Sequence, residues 1–219
     1  MNRRLFMTVS RSMTVMMIVI PLFFHPSDSR ASITALPDTL SAEKARLLNG
    51  EVIVVLSSLD NGVTGVSGKI HIAAPPDKVW TVLTDYDNHK NFIPRLTDSG
   101  LISDNGAEQV MFQRGKTRIF LFQKSVYIQL RIRGEYLRRL EFQEISGDFK
   151  VYKGRWLLED YPKGQGTFLS YESEVKPAFF APSFVVKFVQ KHDFPEVLSA
   201  IKVRAESSAI SATRSGKPR

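Results

Sequence analysis

The sequence predicts an α+β domain in which a curved antiparallel β-sheet wraps around a long C-terminal α-helix, with an apolar cavity between them. Three observations predict it. Leu96 to Val175 carries β-branched or alternating runs separated by glycine-bearing turns, with no helical period. Pro182 to Ser208 has helical spacing, with Phe184, Phe188, Val197, Leu198 and Ile201 as its apolar stripe. Helix stripe and sheet face must each bury an apolar side, and they do so against each other; a sheet of this length also twists and curls, which leaves room beneath it.

The chain opens on a basic segment, Met1 to Arg11, followed by an apolar run from Met13 to Phe24 interrupted by Pro21. Polar residues come next, and Ser29-Arg30-Ala31 has the small–x–small form that signal peptidase accepts; Ala35 is a later alternative. That order is the layout of a secretory signal. The apolar run is about a dozen residues, against the roughly 20 that cross a bilayer as a helix. The expectation is a signal peptide over residues 1–31 and an exported, periplasmic protein; the alternative is an uncleaved membrane anchor. Asn2-Arg3-Arg4-Leu5-Phe6-Met7 resembles the twin-arginine pattern, which would mean export after folding.

Residues 32–50 are expected to form a linker and a short helix, Ser41 to Leu48, with Ser41 as N-cap and Asn49-Gly50 as stop. Glu51 to Leu56 and Val63 to Ile72 follow as strands, with Asp60-Asn61-Gly62 as the turn between them. Ala74-Pro75-Pro76-Asp77 starts a helix whose Val79, Trp80, Val82 and Leu83 lie along one side. Tyr86 to Phe92 makes a second helical turn, halted by Pro94. In the strand region, turns are predicted at Asp104-Asn105-Gly106, Arg133-Gly134-Glu135, Ser146-Gly147-Asp148 and Lys163-Gly164-Gln165-Gly166. Ile128, Leu130 and Ile132 alternate with Gln129, Arg131 and Arg133, as in a sheet with one wet face. Pro195 predicts a kink or restart in the last helix, with Asp193 as cap. Residues 51–208 form the domain and 209–219 a flexible polar tail.

The chain has 219 residues, of which 43% are hydrophobic and 24% charged, a globular composition with core enough to fold without staples. There is no cysteine, which excludes disulfides, Cys-based zinc sites and thiol catalysis. The net charge is +8; Arg3, Arg4, Arg11 and Arg30 against Asp28 give residues 1–31 a share of +3 and leave +5 to the rest. Those cations are spread along the strands rather than gathered in a block, so no nucleic-acid partner is expected.

No catalytic set can be assembled. H-E-x-x-H and G-x-S-x-G motifs and a phosphate-binding loop are absent, and neither a metal nor a cofactor is expected. Asp85 and Asp87 point to different sides of a helix end, while Glu172 and Glu174 face water opposite Tyr171 and Val175. The aromatics say more. Phe122, Tyr127, Tyr152, Trp156, Tyr171, Phe184 and Phe188 are placed to line an apolar pocket, the tyrosines and Trp156 offering polar tips to a ligand head group. His192 joins them, four residues after Phe188. The same aromatics would also build a solid core.

The segment from Ile72 to Leu96, with Val79-Trp80, Leu83-Thr84-Asp85-Tyr86 and Phe92-Ile93-Pro94, resembles the start of the helix-grip START/polyketide cyclase (SRPBCC) superfamily. Phe149, Gly154 and Trp156 in GDFKVYKGRWLLE resemble the F-x(4)-G-x-W strand of its Coq10/cyclase-dehydrase-like subgroup, and FFAPSFVVKF with DFPEVLSAIKVRAES resembles that subgroup's final helix. Together these cover about residues 51–208. The resemblance implies the helix-grip fold and a hydrophobic ligand such as a lipid, quinone or other isoprenoid, and it extends to a transient membrane contact. The alternatives are a cyclase/dehydratase-like enzyme acting on a polyketide-like chain, or a protein-interaction domain. The leader is a departure, since the Coq10-type relatives work inside the cell or mitochondrion. Oligomeric state is not written in the sequence.

Overall fold

The computed structural model describes the backbone of residues 35–119, 122–161 and 166–215 and the side chains of 41–116, 123–161 and 166–210. The leader residues 1–31 and the expected turn at 163–165 lie outside the described residues. Helix α1 (Ala35–Leu48) precedes the hairpin β1 (Ile53–Ser58) and β2 (Thr64–Ile72); α2 (Pro76–Thr84) and α3 (His89–Phe92) follow. Six strands come next: β3 (Leu96–Asp104), β4 (Gln109–Ile119), β5 (Phe122–Glu135), β6 (Arg139–Gly147), β7 (Phe149–Tyr161) and β8 (Gly166–Pro177). Helix α4 (Ser183–Ser215) closes the described chain.

All eight strands form one antiparallel sheet in the order β1-β2-β8-β7-β6-β5-β4-β3. The last strand pairs with the early hairpin, so α2 and α3 carry the chain from β2 to the far edge and close one end of the concave face beside α4. Register shifts at Leu96/Asp98, Leu101/Ser103, Gln129/Leu130 and Phe149/Val151 bend the strands and raise the local twist. This is the helix-grip α+β fold.

Local chemistry accounts for most boundaries. Asn61 (φ 56°) and Gly62 (φ 73°) take the left-handed region in the β1–β2 turn. One expected turn is corrected: β5 runs through Gly134, and the reversal falls at Tyr136-Leu137-Arg138, with Leu137 at φ 62°. Gly134 is needed for space instead, because a Cβ there would stand 3.1 Å from the Trp80 ring and 3.2 Å from Leu140. Helix α4 is also continuous through Pro195, without a restart, and its backbone extends past Ser208 into residues expected as a tail. Asp193 therefore caps nothing and pairs with Arg95 at 3.2 Å.

The concave face divides along α4. From its middle onward α4 buries Leu198, Ile201 and Ala205 in the core with Ile70, Ile72, Leu169 and Val79, while Phe194 and Ile201 border the open space beside that core. Gly68 permits that approach, since a Cβ there would collide with the Phe194 ring. The convex face is polar: Arg155 holds Glu172, and Lys153 holds Glu174 at 3.1 Å. These exposed pairs contribute little to stability each. Helix α1 covers part of that face through buried Leu47 and the Lys69–Glu43 pair at 2.6 Å.

Candidate ligand cavity

Under the N-terminal half of α4 the sheet and helix separate around a cavity of about 340 Å³, within the size range of small-molecule sites. Alternate residues of successive strands make its wall: Met111 from β4, Ile128, Leu130 and Ile132 from β5, Leu140 and Phe142 from β6, Tyr152 and Trp156 from β7, Tyr171 and Val175 from β8. Val82 and Leu83 of α2 close one end; Val185, Val186, Val189 and Phe194 of α4 form the roof.

Tyr171 sits at the centre of an aromatic cluster. Its ring lies 4.5 Å from both Trp156 and Phe194 and stacks on Phe142 at 5.7 Å. The Tyr152 and Tyr171 hydroxyls are 3.2 Å apart and hydrogen-bonded. Burial pushes both phenols above their ordinary range, so both stay protonated at neutral pH. One hydrogen bond between two hydroxyls commits one proton and leaves the other O–H free to donate. Ser173, two residues along the same face of β8, is buried, and its hydroxyl beside Tyr171 partly offsets the effect of burial on that phenol.

His89 reaches the cavity wall from α3 and is buried. Its Nε2–H donates to the Val82 carbonyl at 3.2 Å, while Nδ1 accepts from the Gln113 amide at 3.2 Å. Burial lowers its pKa, so the folded state holds it neutral. The folded protein then binds fewer protons than the unfolded chain below the ordinary histidine value of about 6.5. Stability is fully present above that pH and falls as pH drops from there toward the depressed folded value. Urea unfolding across this range is expected to show that slope, with a share from His71, whose pKa burial also lowers. His89→Gln is expected to reduce it, and an unchanged slope would show that His89 does not contribute.

At the other end Arg95, in the left-handed region at φ 64°, straps the α3–β3 loop to α4 through Asp193 and Glu196 at 3.2 and 3.0 Å. Its carbonyl accepts from Lys116 N at 3.0 Å, opposite Gly115. Burial pushes the Asp193 carboxyl up against the opposing pull of Arg95. On β6, within electrostatic reach of Tyr152, Glu144 accepts from Phe149 N at 3.2 Å through one oxygen and buries the other without a partner; burial raises its pKa. Among the described residues no three His, Asp or Glu side chains gather to hold a metal ion, and no helix is long and apolar enough to cross a membrane.

Of the residues expected at the pocket, Tyr152, Trp156 and Tyr171 line the cavity. The Phe122 side chain lies outside the described residues. Tyr127 is corrected to the convex face, its hydroxyl accepting from Gln129 Nε2 at 2.6 Å and its ring 5.5 Å from the Arg114 guanidinium. The strand's own alternation carried that signal, because Tyr127 shares parity with Gln129 and Arg131. Phe184, Phe188 and His192 are corrected to the outer face of α4: the two phenylalanines are 64% and 61% exposed, and the Phe188 and His192 rings meet at 4.1 Å, tilted by 32°. His192 Nδ1–H donates to the Phe188 carbonyl at 2.9 Å. The reason is helical phase. Phe184 and Phe188 each stand two residues from Val186 of the cavity roof, which turns both of them roughly 160° away from it. His89, Gln113, Met111, Val186 and Phe194 are wall residues the sequence did not single out; only the periodicity of Ile128, Leu130 and Ile132 pointed inward.

The comparisons with known proteins agree with this architecture. The ZhuI aromatase/cyclase from Streptomyces superposes with a TM-score of 0.57 at 15% identity, covering 66% of this chain and 94% of that one. A STAR-related lipid transfer protein from Xanthomonas axonopodis gives 0.57 at 15%, over 70% and 93%. Human STARD10 gives 0.54 at 13%, over 85% and 86%. At such identities the likeness is one of fold. No curated protein sequence matches the chain. The family model described as polyketide cyclase / dehydrase and lipid transport matches residues 72–202, the span that runs from the end of β2 through the sheet to the middle of α4, and the chain belongs to that family.

Proposed function

We propose that this protein is an exported carrier or sensor that holds one apolar molecule, of the lipid, quinone or isoprenoid kind, with a hydrogen-bond-accepting head group at the Tyr152–Tyr171 pair. The observation that carries this reading is a predominantly apolar cavity whose lining holds that pair, with His89, Gln113 and Gln190 and the charged Arg95, Lys116 and Asp193 among its other polar side chains. An acceptor on the ligand would take the O–H that the pair leaves over, and a buried donor left unsatisfied costs about 1–3 kcal/mol. The family description supports a hydrophobic ligand. The layout of residues 1–31 supports export, and N-terminal sequencing of the protein from the periplasmic fraction tests it.

The ligand reading is tested by native mass spectrometry of the detergent-free protein, before and after organic extraction. A stoichiometric apolar adduct is expected, and Tyr152→Phe is expected to weaken its rebinding roughly tenfold through loss of one buried hydrogen bond. A protein that stays ligand-free when offered lipids and quinones overturns the reading.

A cyclase/dehydratase activity is the second reading. The protonated tyrosine pair favours it as an acid that could stabilise a developing enolate. Against it, both His89 nitrogens are engaged, Asp193 is held by Arg95 at the rim, and Glu144, which keeps one oxygen unpartnered and acts on the Tyr152 phenol, is not among the residues that line the cavity.

A further inference from the structure

Phe180, Phe184 and Phe188 follow one another at intervals of four, and all three are exposed, Phe180 to 91%. They flank the cavity: Phe179, beside Phe180, and Val185 and Val189, beside Phe184 and Phe188, belong to its wall. Lys187 and Lys191 stand next to Phe184 and Phe188 on the same side of α4, within roughly 100° of arc. Neither lysine forms an ion pair among the described residues; Lys187 donates to the Ser58 hydroxyl at 2.6 Å. Lys124 lies 4.6 Å over the Phe179 ring, also without a carboxylate. The acids nearest this rim, Asp193 and Glu196, are already held by Arg95.

We propose that this stripe of phenylalanine and lysine docks the cavity rim on an anionic lipid bilayer. Exposed aromatics beside unpaired cations suit an interface where rings enter the headgroup region and ammonium groups meet lipid phosphates. A second copy of the chain fits poorly. A self-complementary dimer through the stripe would bring Lys187 and Lys191 against their own counterparts with no acid between them. The proposal deepens the carrier reading by naming where the ligand is exchanged.

The test is co-sedimentation of the purified protein with phosphatidylcholine vesicles and with mixed phosphatidylcholine–phosphatidylglycerol vesicles, at low and high salt. Binding is expected to the anionic vesicles only and to weaken with salt. Each substitution among Phe180→Ser, Phe184→Ser and Phe188→Ser is expected to weaken it about tenfold. Lys191→Ala, which leaves every ring in place, is expected to cost about fivefold. Failure of the unmodified protein to bind anionic vesicles at low salt would overturn the proposal. So would wild-type binding by the triple serine variant, or a dimer in sedimentation velocity that those substitutions dissolve. Vesicle binding is read without regard to cavity contents, so an empty cavity would overturn the carrier and leave the docking surface standing.

Discussion

Gly154→Val is expected to destabilise the domain by more than about 4 kcal/mol, enough to lower the thermal midpoint by more than about 10 °C or to prevent folding. Gly154 lies in β7 opposite Phe142 of β6 and Ser173 of β8. A Cβ at that position would run into the Glu172 carbonyl oxygen and come within 2.6 Å of the Phe142 ring and 2.8 Å of the Ser173 Cβ. A backbone oxygen in the middle of a sheet cannot move aside without breaking the ladder. The glycine also makes the seat on which the Phe142 ring lies, and from there Phe142 stacks on Tyr171. Even Gly154→Ala should therefore lose stability in urea or thermal unfolding; a cost within about 0.5 kcal/mol, the range of neutral surface changes, would refute the packing argument.

Leu130→Trp is expected to abolish ligand binding, by more than about a hundredfold, while changing stability by less than about 2 kcal/mol. Leu130 is buried at the middle of β5 and points into the cavity from opposite α4. In a solid core an indole in place of leucine forces neighbours off their rotamers, at a typical cost of 1–3 kcal/mol and occasionally more. With about 340 Å³ of space before it, the ring can fill the ligand's place instead. Loss of the adduct in native mass spectrometry with a nearly unchanged unfolding midpoint is the expected pair of results. A collapse of stability would show the region to be packed core, and retention of ligand would place the ligand elsewhere.

The two substitutions test different parts of the same surface. Gly154 belongs to the aromatic floor that must be solid for Tyr171 to be held in place, and Leu130 to the wall that must stay recessed for a ligand to enter. A protein that failed the first test and passed the second would still have its cavity.

By itself the sequence determined the order of the elements, the turn at Asp60-Asn61-Gly62, the start of α2 at Pro76 and the inward parity of Ile128, Leu130 and Ile132. These depend on local chemistry: a proline's fixed φ, a glycine's free one, and a two-residue period that neighbours along the chain reveal. Tyr152, Trp156 and Tyr171 were legible for the same reason, as strand residues of amphipathic character. The tertiary structure alone decided which sector of α4 faces inward. Over 33 residues small departures from ideal winding accumulate, and the stripe chosen from Leu198 and Ile201 does not extend back to Phe184 and Phe188. It alone buried His89, whose place depends on Val82 and on Gln113 from a distant strand, and it alone kept Gly134 inside a strand beneath Trp80. It also decided that the aromatics surround a cavity instead of filling it, because that depends on how far bulges curve the sheet away from α4, a distance set by contacts between residues far apart in the chain.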